Sequence, residues 1–117
     1  DWTTVAEGFA RFAPSCPQAL LAIIGYGSGY DQFQAWAAQR PALPILFLPH
    51  QPKERLRDVL SSADVHLVTE RPEYSSLIVP SKLYGIIEVE RPFLHVGPAD
   101  GELASLASEG LGLTVLN

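Results

Sequence analysis

The sequence predicts an α/β fold built on a parallel sheet with helices on both faces. Short apolar runs bounded by turn residues recur along the chain, stretches with helical spacing separate them, and the connections are short. Parallel neighbours need a crossover, and crossovers within one sheet are nearly always helical. Regular alternation therefore points to a parallel sheet.

Asp1 suits the N-cap of a helix over Trp2 to Phe12, with Val5, Phe9 and Phe12 on one face. Pro14, Ser15 and Pro17 break it. Leu20 to Ile24 is a continuous apolar run, the pattern of a strand buried on both faces. Gly25, Tyr26, Gly27, Ser28 and Gly29 form the next loop, and Tyr30 to Gln39 reads as a helix with Phe33, Trp36 and Ala37 inward. Ile45 to Leu48 is the second buried strand. Pro49 to Pro52 connects it to a helix over Lys53 to Ser61, lined by Leu56, Val59 and Leu60. Asp64 opens a third strand, Val65 to Val68, and a long polar connection follows from Thr69 to Ile78.

Val79, Pro80, Ser81 and Lys82 make a good helix start. Proline fits where a backbone N–H goes unpaired anyway, and serine satisfies a free amide. This helix runs from Leu83 to about Glu90 and stops before Arg91 and Pro92. Phe93 to Val96 is the fourth strand. Gly97 to Gly101 turn the chain into a helix over Glu102 to Ser108, which Gly110 and Gly112 end. Leu113 to Leu116 supply a last strand.

A length of 117 residues suits one domain with a real core, so a single domain over 1–117 is expected. Hydrophobic residues make up 47% and charged ones 18%, too apolar for disorder. The net charge of −5 argues against a nucleic-acid partner. Cys16 is the only cysteine, which excludes an internal disulfide and a cysteine zinc cluster. The histidines lie at no metal-ligand spacing, so no metal site is expected. The apolar runs fall far short of the ~20 residues that cross a bilayer. No basic region followed by an apolar core opens the chain, so no signal peptide is visible and a cytoplasmic, reducing setting is the simplest inference. The sequence begins at Asp1-Trp2, inside a helix and without an initiator Met, and the expectation is a fragment of a larger protein.

Ligands in such folds bind beyond the C-terminal ends of the strands. The loops there are Gly25–Tyr30, Pro49–Pro52, Thr69–Ser81 and Gly97–Glu102, which hold nearly all the conspicuous polar residues. A helix N-terminus carries free N–H groups and a partial positive charge, so Ser81 and Lys82 form the best anion-site candidate, against the plainer reading of a capped helix with a solvated lysine. Glu70, Arg71, Glu73 and Tyr74 lie in the long connection, where a carboxylate can accept hydrogen bonds from a ligand or simply belong to a charged loop. His50 follows a buried strand, as a base or a simple loop residue; His66 is expected to be packed. Asp100 and Glu102 suit the dipole of the helix they open, and the free amides there are equally open to a ligand.

Other chemistries find less support. The glycine loop reads GxGxG rather than GxGxxG, and no acidic residue ends the following strand to hold a ribose. GxSxG and the GxxxxGK[ST] phosphate loop are absent. A receiver domain needs an acceptor Asp at a strand end, where this chain has Ile24-Gly25, Leu48-Pro49 and Val68-Thr69.

Taken in order, LLAIIGYGSG, ILFLPHQPKERLRDVLSSADVHLV and VPSKLYGIIEVERPFLHVGPADGE resemble the C-terminal, donor-binding half of the retaining GT-B glycosyltransferases of family 4 (glycosyl transferases group 1). The resemblance covers nearly the whole chain. VPSKLYG, a buried strand and GPxDGE resemble a subgroup acting in cell-envelope or exopolysaccharide assembly. It implies a Rossmann-like domain, one half of a GT-B fold, and transfer of a sugar from a nucleotide-diphosphate donor, usually a UDP-sugar, with retention and without a metal or other cofactor. The diphosphate would lie near Ser81 and Lys82, with the loop from Glu70 to Ser76, including Tyr74, facing the sugar. The base would lie near the loops of Gly25, Gly27 and His50. Glu102 joins the candidate contacts.

Two departures stand out. The family commonly has two glutamates separated by seven residues; counting back from Pro92 puts Gly85 at the second, and the first has no in-register counterpart, with Glu73 a weak candidate and the catalytic residue unassigned. The cations that usually grip the diphosphate belong to a strand-loop before Asp1. The implied partner is a separate N-terminal acceptor-binding half, through which the parent would meet the inner face of a membrane. A GT-B-type sugar-nucleotide epimerase and a non-catalytic Rossmann-like scaffold module remain as alternatives.

Overall fold

Helices and strands alternate along the chain in the computed structural model, which describes residues 2–71 and 81–115. All strand pairings are parallel, in an α/β arrangement of Rossmann-like type. The chain divides into two compact units, Asp1–Gln51 and Pro52–Asn117.

The first unit contains α1 (Trp2–Phe12), β1 (Leu21–Ile24), α2 (Tyr30–Ala38) and β2 (Ile45–Leu48). A 3-10 turn over Ala13–Ser15 carries Pro14 and ends α1. β1 pairs with β2 from Leu21↔Ile45 to Ile24↔Leu48. Phe33 is buried, stacked on Trp2 with ring centroids 5.5 Å apart and meeting Phe47 edge-on at 5.6 Å. Gly29 caps α2 at φ 81, and a Cβ there would run into the Trp2 indole. Glycine is needed on both counts. The expectation that β1 is buried on both faces does not hold. Ala22 lies exposed, Ile24 keeps 40% of its surface and Leu46 keeps 41%. A short all-apolar run does not by itself reveal whether both faces are covered.

The second unit contains α3 (Leu56–Ser62), β3 (His66–Thr69), α4 (Ser81–Glu88), β4 (Phe93–Val96), α5 (Glu102–Leu106) and β5 (Gly112–Val115). Its sheet has the order β3-β4-β5. Leu60, Val68, Leu83, Ile86, Phe93, Leu103 and Ala107 form its core, so α3, α4 and α5 each bury an apolar stripe. The helix expected from Lys53 begins instead as a 3-10 turn over Lys53–Arg55. α5 ends sooner than its sequence suggests, passing into a π-helical turn over Ala107–Leu111 in which Gly110 takes φ 90.

The end of α4 explains why that helix stops. Glu90 has φ 57; its N–H donates to the Ile87 carbonyl at 3.0 Å, and the Arg91 N–H donates to Ile86 at 3.3 Å. This is a Schellman motif with glutamate where glycine is usual. The Arg91 guanidinium then donates to the Ser61 carbonyl at 2.9 Å, placing a cation at the C-terminus of α3.

Candidate functional site

In the first unit the paired strands β1 and β2 exit side by side. Gly25 takes φ 90 and donates its N–H to the Leu48 carbonyl at 3.0 Å. A Cβ on Gly25 would stand 3.0 Å from His50 Nδ1, so these two sequence-predicted residues come together. His50 is exposed. The Gly27 carbonyl accepts the Tyr30 N–H at 3.1 Å, and the space beside its Cα is open. Tyr26 projects from the same turn, 73% exposed, with its ring edge-on to Tyr30 at 5.0 Å.

In the second unit, Glu70 follows β3 and Gly97 follows β4. The Glu70 N–H donates to the Val96 carbonyl at 3.0 Å, which extends the parallel ladder by one step. Its carboxylate is not solvated as a loop residue's would be. Glu70 is only 7% exposed, and its Oε2 lies 3.2 Å from Nε2 of the fully buried His95. With Nε2 protonated, the imidazole donates and the carboxylate accepts. Among the described residues, no buried side-chain nitrogen or oxygen lacks a partner.

His95 is the residue that sequence reasoning passed over, because it was weighed only as a metal ligand. No signal within either segment marks the pair; the register of β3 and β4, which aligns Thr69 with Val96, brings Glu70 to the end of β4 in the folded chain. His66 meets the expectation of a packed residue. It is 8% exposed, and its Nε2 lies 2.7 Å from the Leu60 carbonyl. Burial lowers its pKa; the Leu60 hydrogen bond opposes that shift, while the charges of Lys82 and Arg91 reinforce it.

α4 begins at Ser81, and Lys82 stands in its first turn. The Lys82 side chain reaches solvent, yet the protein atoms around its ammonium exclude enough water to lower its pKa. It forms no ion pair with a described residue. A partly desolvated ammonium in the first turn of a helix is suited to hold an anion. Glu102 opens α5 and is exposed, after Gly101 in extended conformation. Tyr74 and Glu73 lie outside the described residues. No group of three His, Cys, Asp or Glu among the described residues is placed to hold a metal ion.

Gly85 has a packing role. A Cβ there would stand 2.8 Å from Cδ1 of Leu60, so the position faces α3. Leu60 is itself a core residue. A glutamate at 85 would begin its side chain inside the helix–helix contact.

The chain is 30% identical over 96 residues to the colanic acid biosynthesis glycosyl transferase WcaI of Escherichia coli (strain K12). The match takes in 82% of this chain and 24% of that protein, so the chain spans about a quarter of its relative's length. No protein-family model matches the chain, and no solved structure matches it. No described helix is long and apolar enough to cross a membrane.

Proposed function

We propose that this chain is the nucleotide-sugar-binding domain of a longer glycosyltransferase. In this reading the parent transfers a sugar, with retention, from a nucleotide-diphosphate donor to an envelope or exopolysaccharide acceptor. The likeness to the glycosyl transferase WcaI, whose name ties it to colanic acid biosynthesis, is the observation that carries it.

The chemistry of the second unit fits that role. Sugar transfer leaves negative charge on the departing diphosphate, and fixed dipoles and cations stabilise it. The first turn of α4 holds the Lys82 ammonium, already partly desolvated, at the positive end of the helix dipole. Glu102 and the turn before it remain candidates for the sugar side. Gly25, Gly27 and His50 remain candidates for contacts with the nucleotide. No metal or other cofactor is assigned a step.

Isothermal titration of UDP into the wild-type chain and Lys82→Ala tests the site. At least a tenfold loss of affinity is expected on substitution, and equal affinities would remove Lys82 from it. Turnover of UDP-sugars by the full-length parent, offered an envelope-type acceptor, tests the activity. Nucleotide binding without sugar transfer would favour the scaffold reading, and conversion of the donor sugar without an acceptor would favour an epimerase.

A further inference from the structure

Among the described residues of the second unit, a carboxylate and an imidazole, Glu70 and His95, are buried against each other. Strand alternation puts His95 on the same face of β4 as Phe93, and both are buried. Two apolar side chains of similar volume would avoid the desolvation of an imidazole and a carboxylate, and such replacements are often neutral or stabilising. The contacts around the pair indicate what it does. Glu70 is the first residue beyond β3, and Gly97 the first beyond β4. A Cβ on Gly97 would come within 2.7 Å of His95 Nε2 and within 3.1 Å of both the Glu70 Cβ and the Glu70 carbonyl oxygen. The main chain of one strand exit is thus seated directly on the side-chain pair and on the main chain of the other.

We propose that the Glu70–His95 hydrogen bond is a positioning device, locking the exits of β3 and β4 together so that the Gly97–Gly101 turn keeps one conformation at the ligand-facing end of the sheet. Neither residue is asked to touch a reacting atom. The pair specifies a direction that an apolar contact would not, because a hydrogen bond is satisfied over a narrow range of distance and angle. Its bearing on nucleotide binding rests on the donor-site reading above; its effect on the turn does not.

The test is amide hydrogen exchange on the whole chain, read at position 70, whose N–H donates to the Val96 carbonyl across the two strand exits, with UDP titration alongside. The double variant Glu70→Leu with His95→Leu is expected to stay folded, as thermal melting will show. The amide at position 70 should nevertheless exchange at least tenfold faster, while the amides of Phe93 and Leu94 stay protected. Glu70→Gln, which still accepts from the imidazole, should stay within about threefold of wild type. Should the leucine pair fail to fold, Glu70→Ala is read in the same way. Wild-type exchange at position 70 in either variant would overturn the proposal, as would equal loss in Glu70→Gln. UDP affinity should fall in step with the lost protection. A wild-type chain that binds no UDP would defeat the donor-site reading, while the exchange data would still decide the role of the pair.

Discussion

The Cβ position of Gly85 lies 2.8 Å from the Cδ1 of Leu60, so α3 and α4 meet where no side chain fits without displacement. Replacing a helical glycine by alanine ordinarily gains about 1 kcal/mol. Here overpacking, typically about 1–3 kcal/mol, opposes that gain. Gly85→Ala should therefore be neutral or destabilising by up to about 2 kcal/mol in urea denaturation, by difference of those two terms. In a Leu60→Ala background the same change should become stabilising. Full stabilisation by Gly85→Ala alone would show that the contact does not matter.

Gly97 and Gly27 differ in the same respect. Gly97 is hemmed in by His95 and Glu70, whereas nothing lies within 4 Å of a Cβ on Gly27. Gly97→Ala should cost about 1–3 kcal/mol. Gly27→Ala should change stability by less than about 1 kcal/mol, with a slight gain from a stiffer unfolded chain. Guanidinium unfolding of the two variants gives the comparison, and equal effects would contradict it.

Glu90 holds φ 57 at the left-handed position of the α4 Schellman motif. Glycine adopts that conformation without the Cβ penalty, so Glu90→Gly should stabilise the protein by about 1 kcal/mol. The change adds unfolded-state entropy, which limits the gain. Thermal melting that shows a loss would mean that the glutamate side chain makes a compensating contact.

Lys82 carries a pKa lowered by desolvation from the ordinary 10.5. Between the folded and unfolded values the unfolded chain binds more protons, so this group makes stability rise with pH in that window. Below the folded value its desolvation penalty is present in full. Lys82→Gln should therefore stabilise the free protein near neutral pH, and the advantage should shrink as pH approaches 10.5. UDP binding should show the opposite preference, falling as Lys82 loses its proton. Denaturation and titration across pH 7 to 10.5 measure both, and a flat stability difference would refute the assignment.

His66 gives a second pH dependence, at lower pH. Burial holds its pKa below 6.5, favouring the neutral ring that donates from Nε2 to Leu60. Its contribution is present above pH 6.5 and is lost as pH falls through the lowered value in the folded state. His66→Gln should flatten the stability profile in that acidic window. An unchanged slope would assign the effect to other groups.

Much of the architecture was legible because it depends on local pattern. Ile45 to Leu48 and Phe93 to Val96 are strands with the bounds their apolar runs suggest, and the placement of Pro14 explains the end of α1. The open face of β1 was not legible, since Ala22 and Ile24 are apolar whether or not something covers them. The Glu70–His95 pair was missed for a different reason. It depends on the register between two strands separated by a helix, and neither residue is unusual within its own segment. Gly85 looked like a missing glutamate until the α3–α4 contact supplied a packing cause. Lys82 could be placed in a first helical turn from the sequence, but its partial desolvation arises from neighbours that only the folded chain brings close.

The strand order β3-β4-β5 has a consequence for how the second unit is made. Each strand pairs with the one synthesised immediately before it, so no segment must wait for a distant partner to leave the ribosome. β3 can seat α3 through Leu60 and Val68, and every later strand then adds to a template already in place. Vectorial assembly of this kind keeps the intermediate edge short-lived, which limits its exposure to other chains.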